Sequence, residues 1–252
     1  MQNVCVLRLK DKPDLCIEVD ALLPEKLSGM NAREIENVKI QYGKLLVDAG
    51  EFFDIEGKVN GTLVFEGDLT RVKRIGFGMR EGEIIVKGNA GMYVGAFMRG
   101  GRIVIEGNAG RFAAIGMIGG EVVVKGDCGD YAGAAYRGST GMAGGRLIIE
   151  GRCGDEAGAN MCGGELIVGR EAGAFLGAGM TGGVIRAKTG RRVGAGMING
   201  QIFLDEAKDI DEVLPPGFIY EGEEEINGVK YAVFTGDKAE KKSNGKIFIK
   251  IL

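Results

Sequence analysis

The sequence predicts a mainly β chain wound as a parallel solenoid of about seven or eight coils, closed by a small segment at each end. The first sign is a period. Start glycines fall at Gly82, Gly101, Gly120, Gly145, Gly164, Gly183 and Gly200, spaced 19, 19, 25, 19, 19 and 17 residues apart, with a weaker copy from Gly61. The second is composition. Each start glycine precedes a short run rich in Val, Ile and Leu, as strands are. The 46 glycines stand beside only 4 prolines with no Gly-X-Y period, which removes collagen. The third is charge. The first strand position reads Glu83, Arg102, Glu121, Arg146, Glu165, and the last reads Glu66, Lys87, Glu106, Lys125, Glu150. Both columns alternate in sign, which a parallel, in-register stack requires, because neighbouring strands lie about 4.8 Å apart.

Three parts follow. Residues 1–56 form an N-terminal cap, 57–205 the glycine-repeat body and 206–252 a C-terminal cap and hairpin tail. In the cap, Met1–Lys10 alternates and contains Arg8 and Lys10, and reads as a strand and not a signal peptide. Pro24 opens a helical turn, and Asn31-Ala-Arg-Glu34 fits a capping box for a helix to about Asn37. Val38–Ile40 and Leu45–Val47 read as strands, and Phe52, Phe53 and Ile55 as a core plug. The repeat strands are Thr62–Glu66, Glu83–Lys87, Arg102–Glu106, Glu121–Lys125, Arg146–Glu150, Glu165–Val168, Val184–Lys188 and Gln201–Asp205. In the tail, Asn227-Gly228 is a two-residue hairpin signal between Phe218–Ile226 and Val229–Thr235, and Lys246–Leu252 is a last strand. The tail either caps the last coil or lies along the outside of the stack.

Side chains alternate faces along a strand. Ile84/Val86, Ile103/Ile105 and Val122/Val124 then point inward, while Val64, Ile85, Val104, Val123, Ile148 and Ile167 make an outer apolar stripe between two charged rails. The 25-residue interval holds an insertion, read at Gly138–Gly144. Met79, Met98, Met117, Met161 and Met180 form a core column in which Tyr136 substitutes once. Cys128 and Cys153 share a small-residue column with Ala90, Ala109 and Ala172, and read as reduced core cysteines.

Several function classes drop out. The chain has no histidine, which removes the commonest general base and transition-metal ligand. The net charge of −3 offers no concentrated basic face for nucleic acid. No apolar run approaches a membrane span, and a cytoplasmic protein is the expectation. Gly177-Ala-Gly-Met-Thr-Gly182 matches G-x-G-x-x-G, but a strand follows it where a dinucleotide site needs a helix. A stand-alone solenoid acyltransferase, the rival from another class, needs a six-residue sub-period absent here. No catalytic, cofactor-binding or metal residue is assigned to this chain. The residues expected to carry function are contact residues: Tyr136, Arg137, Ser139, Thr140 and Met142 on the insertion edge, with Val104, Val123 and Ile148 on the outer stripe. Tyr and Arg are enriched at interface hot spots. Excising Ser139–Gly144 is expected to spare the fold and abolish assembly.

Arg74-Ile-Gly-x-x-Met79, Gly91-Met-Tyr-Val-Gly95, Gly129-Asp-Tyr-Ala-Gly133, Tyr136-Arg-Gly138 and Gly141-Met-x-Gly-Gly145 carry a family resemblance. They resemble the glycine-repeat domain of the glutamate synthase large subunit, and more closely the C subunit of formylmethanofuran dehydrogenase, the tungsten or molybdenum enzyme of archaeal one-carbon metabolism. One component of the bacterial formyltransferase/hydrolase complex has similar repeats. The resemblance covers roughly Glu51–Asp205. It implies a right-handed parallel β-helix and a non-catalytic scaffold in a complex that reversibly reduces CO2 onto methanofuran. It implies a tungsto- or molybdopterin and iron–sulfur clusters on partner subunits, among them a pterin-metal subunit and an amidohydrolase-like subunit.

Overall fold

A computed structural model describes residues 4–251; the expected strand start at Met1–Asn3 and strand end at Leu252 lie outside them. The chain is mainly β. The N-terminal segment contributes β1 (Cys5–Leu9), β2 (Ile17–Glu18), α1 (Ala32–Glu36), β3 (Lys39–Tyr42), β4 (Leu45–Asp48), α2 (Ala49–Phe52) and β5 (Phe53–Glu56). The repeats contribute β6 (Thr62–Glu66), β7 (Val72–Lys73), β8 (Glu83–Lys87), β9 (Arg102–Ile105), β10 (Glu121–Val124), β11 (Ala143–Ile149), β12 (Cys162–Ala174), β13 (Thr181–Arg191) and β14 (Asn199–Leu204). The tail contributes α3 (Ile210–Val213), β15 (Ile219–Ile226), β16 (Val229–Gly236) and β17 (Gly245–Lys250).

Among the described residues, 13 strands join in one sheet, ordered β15-β16-β17-β14-β13-β12-β11-β10-β9-β8-β6-β1-β5. From β1 through β6 to β14 and on to β17, each pair is parallel. Register follows the charge columns: Glu83 faces Arg102, Arg102 faces Glu121, Glu121 faces Arg146 and Arg146 faces Glu165. The Arg102 guanidinium sits between Glu83 and Glu121 at 3.0 Å each, and Arg146 reaches Glu165 at 3.0 Å and Glu121 at 3.5 Å. These pairs are roughly half exposed, so each stabilises by at most about 1 kcal/mol. Their work is specificity, since a one-repeat slip would set like charges together.

The inward face is apolar, as the alternation requires: Ile84, Val86, Ile103, Ile105, Val122, Val124, Leu147 and Ile149 are fully buried. A second ladder of parallel bridges runs through Leu69, Ala90, Ala109, Cys128, Cys153 and Ala172. Burial pushes both thiols up, Cys153 to about 12, so they stay protonated and inert at neutral pH. Beside that ladder runs one the sequence did not disclose. Asn89 Oδ1 accepts from the Asn108 N–H, Asn108 Oδ1 from the Asp127 N–H and Asp127 Oδ1 from the Arg152 N–H, each at 2.8 Å. Each side chain satisfies a main-chain donor of the next repeat where the strands have ended.

The ends close by extending the sheet. β1 pairs antiparallel with β5 and parallel with β6, so the N-terminal segment adds strands to the stack. The capping box at Asn31 forms in both directions with Glu34. Asn227 and Gly228 both take positive φ, 52° and 79°, as the tight turn between β15 and β16 demands. The tail therefore adds β17, β16 and β15 edge to edge beyond β14 and leaves the outer face of β8–β11 uncovered.

One exposed pair gives the acid behaviour a definite sign. The Lys12 ammonium at 2.7 Å, then the Thr70 hydroxyl and N–H, pull the Asp68 carboxyl from 3.8 down to about 2. The folded value lies below the unfolded one, so the stabilisation is present above about pH 4 and is lost as pH falls towards 2. Solvent screening keeps it small. Asp68→Asn is expected to melt about 1–3 °C below the unsubstituted chain at neutral pH, with the gap closing near pH 2 in thermal scans.

Candidate subunit-contact surface

In each repeat the chain turns through alternate residues in the left-handed region. Tyr93, Gly95 and Phe97 have φ of 65°, 64° and 55°, and Phe112, Ala114 and Gly116 have 65°, 50° and 60°. This alternation sends N–H groups to the two neighbouring repeats in turn. Tyr93 N donates to Arg111 O, Gly95 N to Ile75 O and Phe97 N to Ile115 O, at 3.1, 2.9 and 2.8 Å. The middle position points inward and is glycine or alanine. The first points outward, and its column reads Arg74, Tyr93, Phe112, Tyr131, Glu156, Phe175, Arg192.

Because the column is in register, its aromatic rings stack. Tyr93 lies on Phe112 with centroids 4.9 Å apart and planes 5° apart, and Phe112 lies on Tyr131 at 5.0 Å and 9°. Arg111 covers Phe112 and Tyr131 at 5.5 and 5.4 Å while paired to Asp130 at 3.1 Å. Phe97 meets Phe77 edge-on at 5.4 Å. This platform is not among the contacts expected from the sequence. Its signal is the position eleven residues after each start glycine, which is aromatic three times in succession.

The insertion sits on the platform, and here two sequence expectations are corrected. Met142 N donates to Gly133 O at 2.8 Å, as Met98 N does to Gly95 O at 3.3 Å. Met142 thus occupies the methionine column, fully buried, and Tyr136 does not. A Cβ on Gly164 would lie 2.8 Å from the Met142 methyl, as one on Gly120 would from Met98. The six added residues are consequently Tyr136–Gly141, and Met142 is a core residue with no side-chain surface to offer a partner. Excising Ser139–Gly144 would remove it, so that deletion no longer isolates the loop.

Tyr136, Arg137, Ser139 and Thr140 are exposed. The Ser139 hydroxyl accepts from the Tyr136 N–H at 3.0 Å, and the Ser139 N–H donates to Tyr136 O at 2.8 Å, which closes the loop on itself. The Tyr136 ring stands edge-on to Tyr93 and Phe97 at 6.2 and 6.5 Å, with the Arg137 guanidinium over it at 5.6 Å. Ile118 is exposed too, and so is Phe175, which stands two repeats beyond Tyr131 with Glu156 between them. Val104, Val123 and Ile148 lie elsewhere, half-buried on the outer face of the large sheet, so the structure gathers the expected residues into two surfaces. Among the described residues no three Cys, Asp or Glu side chains converge as a metal site would need, and no helix is long and apolar enough to cross a membrane.

No family model matches the chain. The fold is similar to that of a solved subunit: it superposes with a TM-score of 0.91 and 27% identity on a chain of the crystal structure of the formyltransferase/hydrolase complex (FhcABCD) from Methylorubrum extorquens in complex with methylofuran, covering 98% of this chain and 100% of that one. Its curated homologues are named as the C subunit of formylmethanofuran dehydrogenase. The C subunit of the tungsten-containing formylmethanofuran dehydrogenase 2 of Methanothermobacter marburgensis is 38% identical over 96 residues, 36% of this chain and 36% of that protein. The C subunit of the molybdenum-containing formylmethanofuran dehydrogenase 1 of the same organism is 36% identical over 92 residues, 36% of this chain and 23% of that protein. The matches thus span about a third or less of these curated relatives.

Proposed function

We propose that this chain is a non-catalytic scaffold subunit of a formylmethanofuran dehydrogenase, holding partner subunits against a right-handed parallel β-helix of about seven or eight coils. The observation that carries this reading is the full-length likeness to a chain of a multi-subunit complex, joined by local identity to the C subunit of the dehydrogenase. In-register parallel stacking, with each repeat about 4.8 Å above the last, makes a stiff rod of the kind suited to fixing partner spacing. The pterin-bound tungsten or molybdenum, the iron–sulfur clusters and the hydrolytic site belong, on this reading, to the pterin-metal and amidohydrolase-like partners. What this chain contributes is a surface, the insertion edge with its aromatic platform, and the stripe at Val104, Val123 and Ile148 as a second contact. A second reading, as a component of a bacterial-type formyltransferase/hydrolase complex, is favoured by the end-to-end coverage of that structural neighbour.

Deleting Tyr136–Gly141 restores the 19-residue spacing between Gly120 and Gly145 and leaves Met142 in its column. The variant is expected to fold, with a melting transition lowered by no more than about 6 °C, and to lose its partner subunits on affinity purification of the complex. Normal subunit stoichiometry in the deletion variant would remove the loop from the contact.

A further inference from the structure

The charged first-position column of the strands alternates in sign from Glu83 to Glu165, and Lys188 likewise lies between Glu171 at 3.9 Å and Glu206 at 3.4 Å. The position after each core methionine breaks the pattern. Arg99 N donates to Met79 O at 2.8 Å and Ile118 N to Met98 O at 2.9 Å, which puts Arg80, Arg99 and Ile118 at equivalent points of three successive repeats. Arg80 and Arg99 therefore stack like on like, and both are exposed. Two unit charges about 5 Å apart repel by about 1 kcal/mol even in water. Among the described residues neither guanidinium forms an ion pair with a carboxylate or a hydrogen bond to an acceptor. Glu25 and Asp20 line the same cleft as Arg80, but Glu25 Oε1 accepts from the Arg80 main-chain N–H at 2.9 Å and neither acid forms an ion pair with the guanidinium. Asp130 and Asp155 also stack, yet there each carboxylate accepts a main-chain N–H, and Arg111 pairs with Asp130.

The uncompensated pair lies beside the platform. Arg99 follows Phe97 by two residues, Phe97 touches Tyr136, and Tyr136 carries Arg137, which likewise has no carboxylate partner among the described residues. Arg137 thus covers one ring of the pair, Arg99 is two residues from the other, and Arg80 stands one repeat from Arg99, on a chain whose net charge is −3. Such a small patch does not track a nucleic-acid backbone, which needs a broad basic face. It suits a few carboxylates, each able to take a bidentate guanidinium, with apolar contact between them.

We infer that Arg80, Arg99 and Arg137, set around Phe97 and Tyr136, bind an acidic segment of a partner subunit. This deepens the scaffold reading and rests on it. The like-charge stack is a weakness of the free chain that the bound acidic segment removes, so affinity and free-chain stability respond to it in opposite directions.

The test uses the co-expressed complex, affinity-purified through this chain, with subunit stoichiometry read by quantitative mass spectrometry and the melting transition of each purified chain as the folding readout. Arg80→Glu with Arg137→Glu is expected to cut partner retention at least tenfold. The melting temperature should hold or rise, because a carboxylate at position 80 under Arg99 restores the alternation of the rails. Arg80→Lys with Arg137→Lys should retain partner in part, and retention by the unsubstituted chain should fall steeply between about 0.1 and 0.5 M salt. Wild-type retention in the charge-reversed variant overturns this inference alone, as does a loss of retention matched by loss of folding. If the unsubstituted chain carries no partner subunit, the scaffold reading falls and this inference with it.

Discussion

Gly119→Ala is expected to destabilise the chain by about 3 kcal/mol or more, lowering the melting temperature by about 6–12 °C. Gly119 is not in the left-handed region, so the cause is contact alone. A Cβ there would strike the Arg99 carbonyl oxygen of the preceding repeat, with the carbonyl carbon at 3.2 Å. The same carbonyl approach recurs at Gly100 on Arg80, Gly144 on Ile118, Gly163 on Ala143 and Gly182 on Cys162. Both partners are main chain, pinned by the N–H groups of Ile118 and Gly119 on Met98 O at 2.9 and 3.3 Å. Relief would separate two repeats and break those bonds. Gly133→Ala is the matched control. Its nearest neighbours would lie at 3.7 Å, so only the left-handed φ of 66° costs anything, about 1–2 kcal/mol. Ala114 already holds the equivalent place. Differential scanning calorimetry of the two variants should separate them clearly, and equal melting temperatures would refute the close-approach account.

Met142→Ala is expected to cost about 2–5 kcal/mol, the range for truncating a buried methionine. Its methyl fills the space left by Gly164, and in the neighbouring repeats the Met98, Met161 and Met180 methyls meet Gly120, Gly183 and Gly200 in the same way. Removing one member opens a void that the repeats above and below cannot fill without leaving register. Tyr136→Ala, six residues earlier on an exposed loop, should cost less than about 1.5 kcal/mol and affect assembly instead. Urea midpoints for the pair decide the matter. A surface role for Met142 predicts the reverse ranking.

The strands and their pairing were legible because the signal repeats. Alternating Glu83, Arg102, Glu121 and Arg146 predict parallel register, and that register is what pairs them. The Asn227-Gly228 hairpin and the Asn31–Glu34 capping box are local chemistry and lie where the residues put them. The core plug was read correctly in Phe53 and Ile55, but α2 was not, since four residues carry too little period. The extensions of β12 and β13 were missed because they run through glycine and charge and lack an apolar run. The insertion begins at Tyr136, two residues before the expected Gly138: glycines at 138, 141, 144 and 145 are compatible with several alignments, and the hydrogen bond from Met142 N to Gly133 O fixes one. The aromatic platform is not legible in the sequence because bulky residues at positive φ, such as Tyr93, Phe112 and Tyr131, run against ordinary backbone preference. Neighbouring repeats bond to them on both sides and hold them there.

The scaffold account is tested most directly by affinity purification of this chain from its native cell, with every co-purifying subunit and its metal identified by mass spectrometry. The account predicts a complex of fixed stoichiometry containing a pterin-bound tungsten or molybdenum subunit and an amidohydrolase-like subunit. An amidohydrolase-like subunit without the pterin metal would select the formyltransferase/hydrolase reading and keep the scaffold. The chain emerging alone, or bound to glutamate synthase chains, would contradict it.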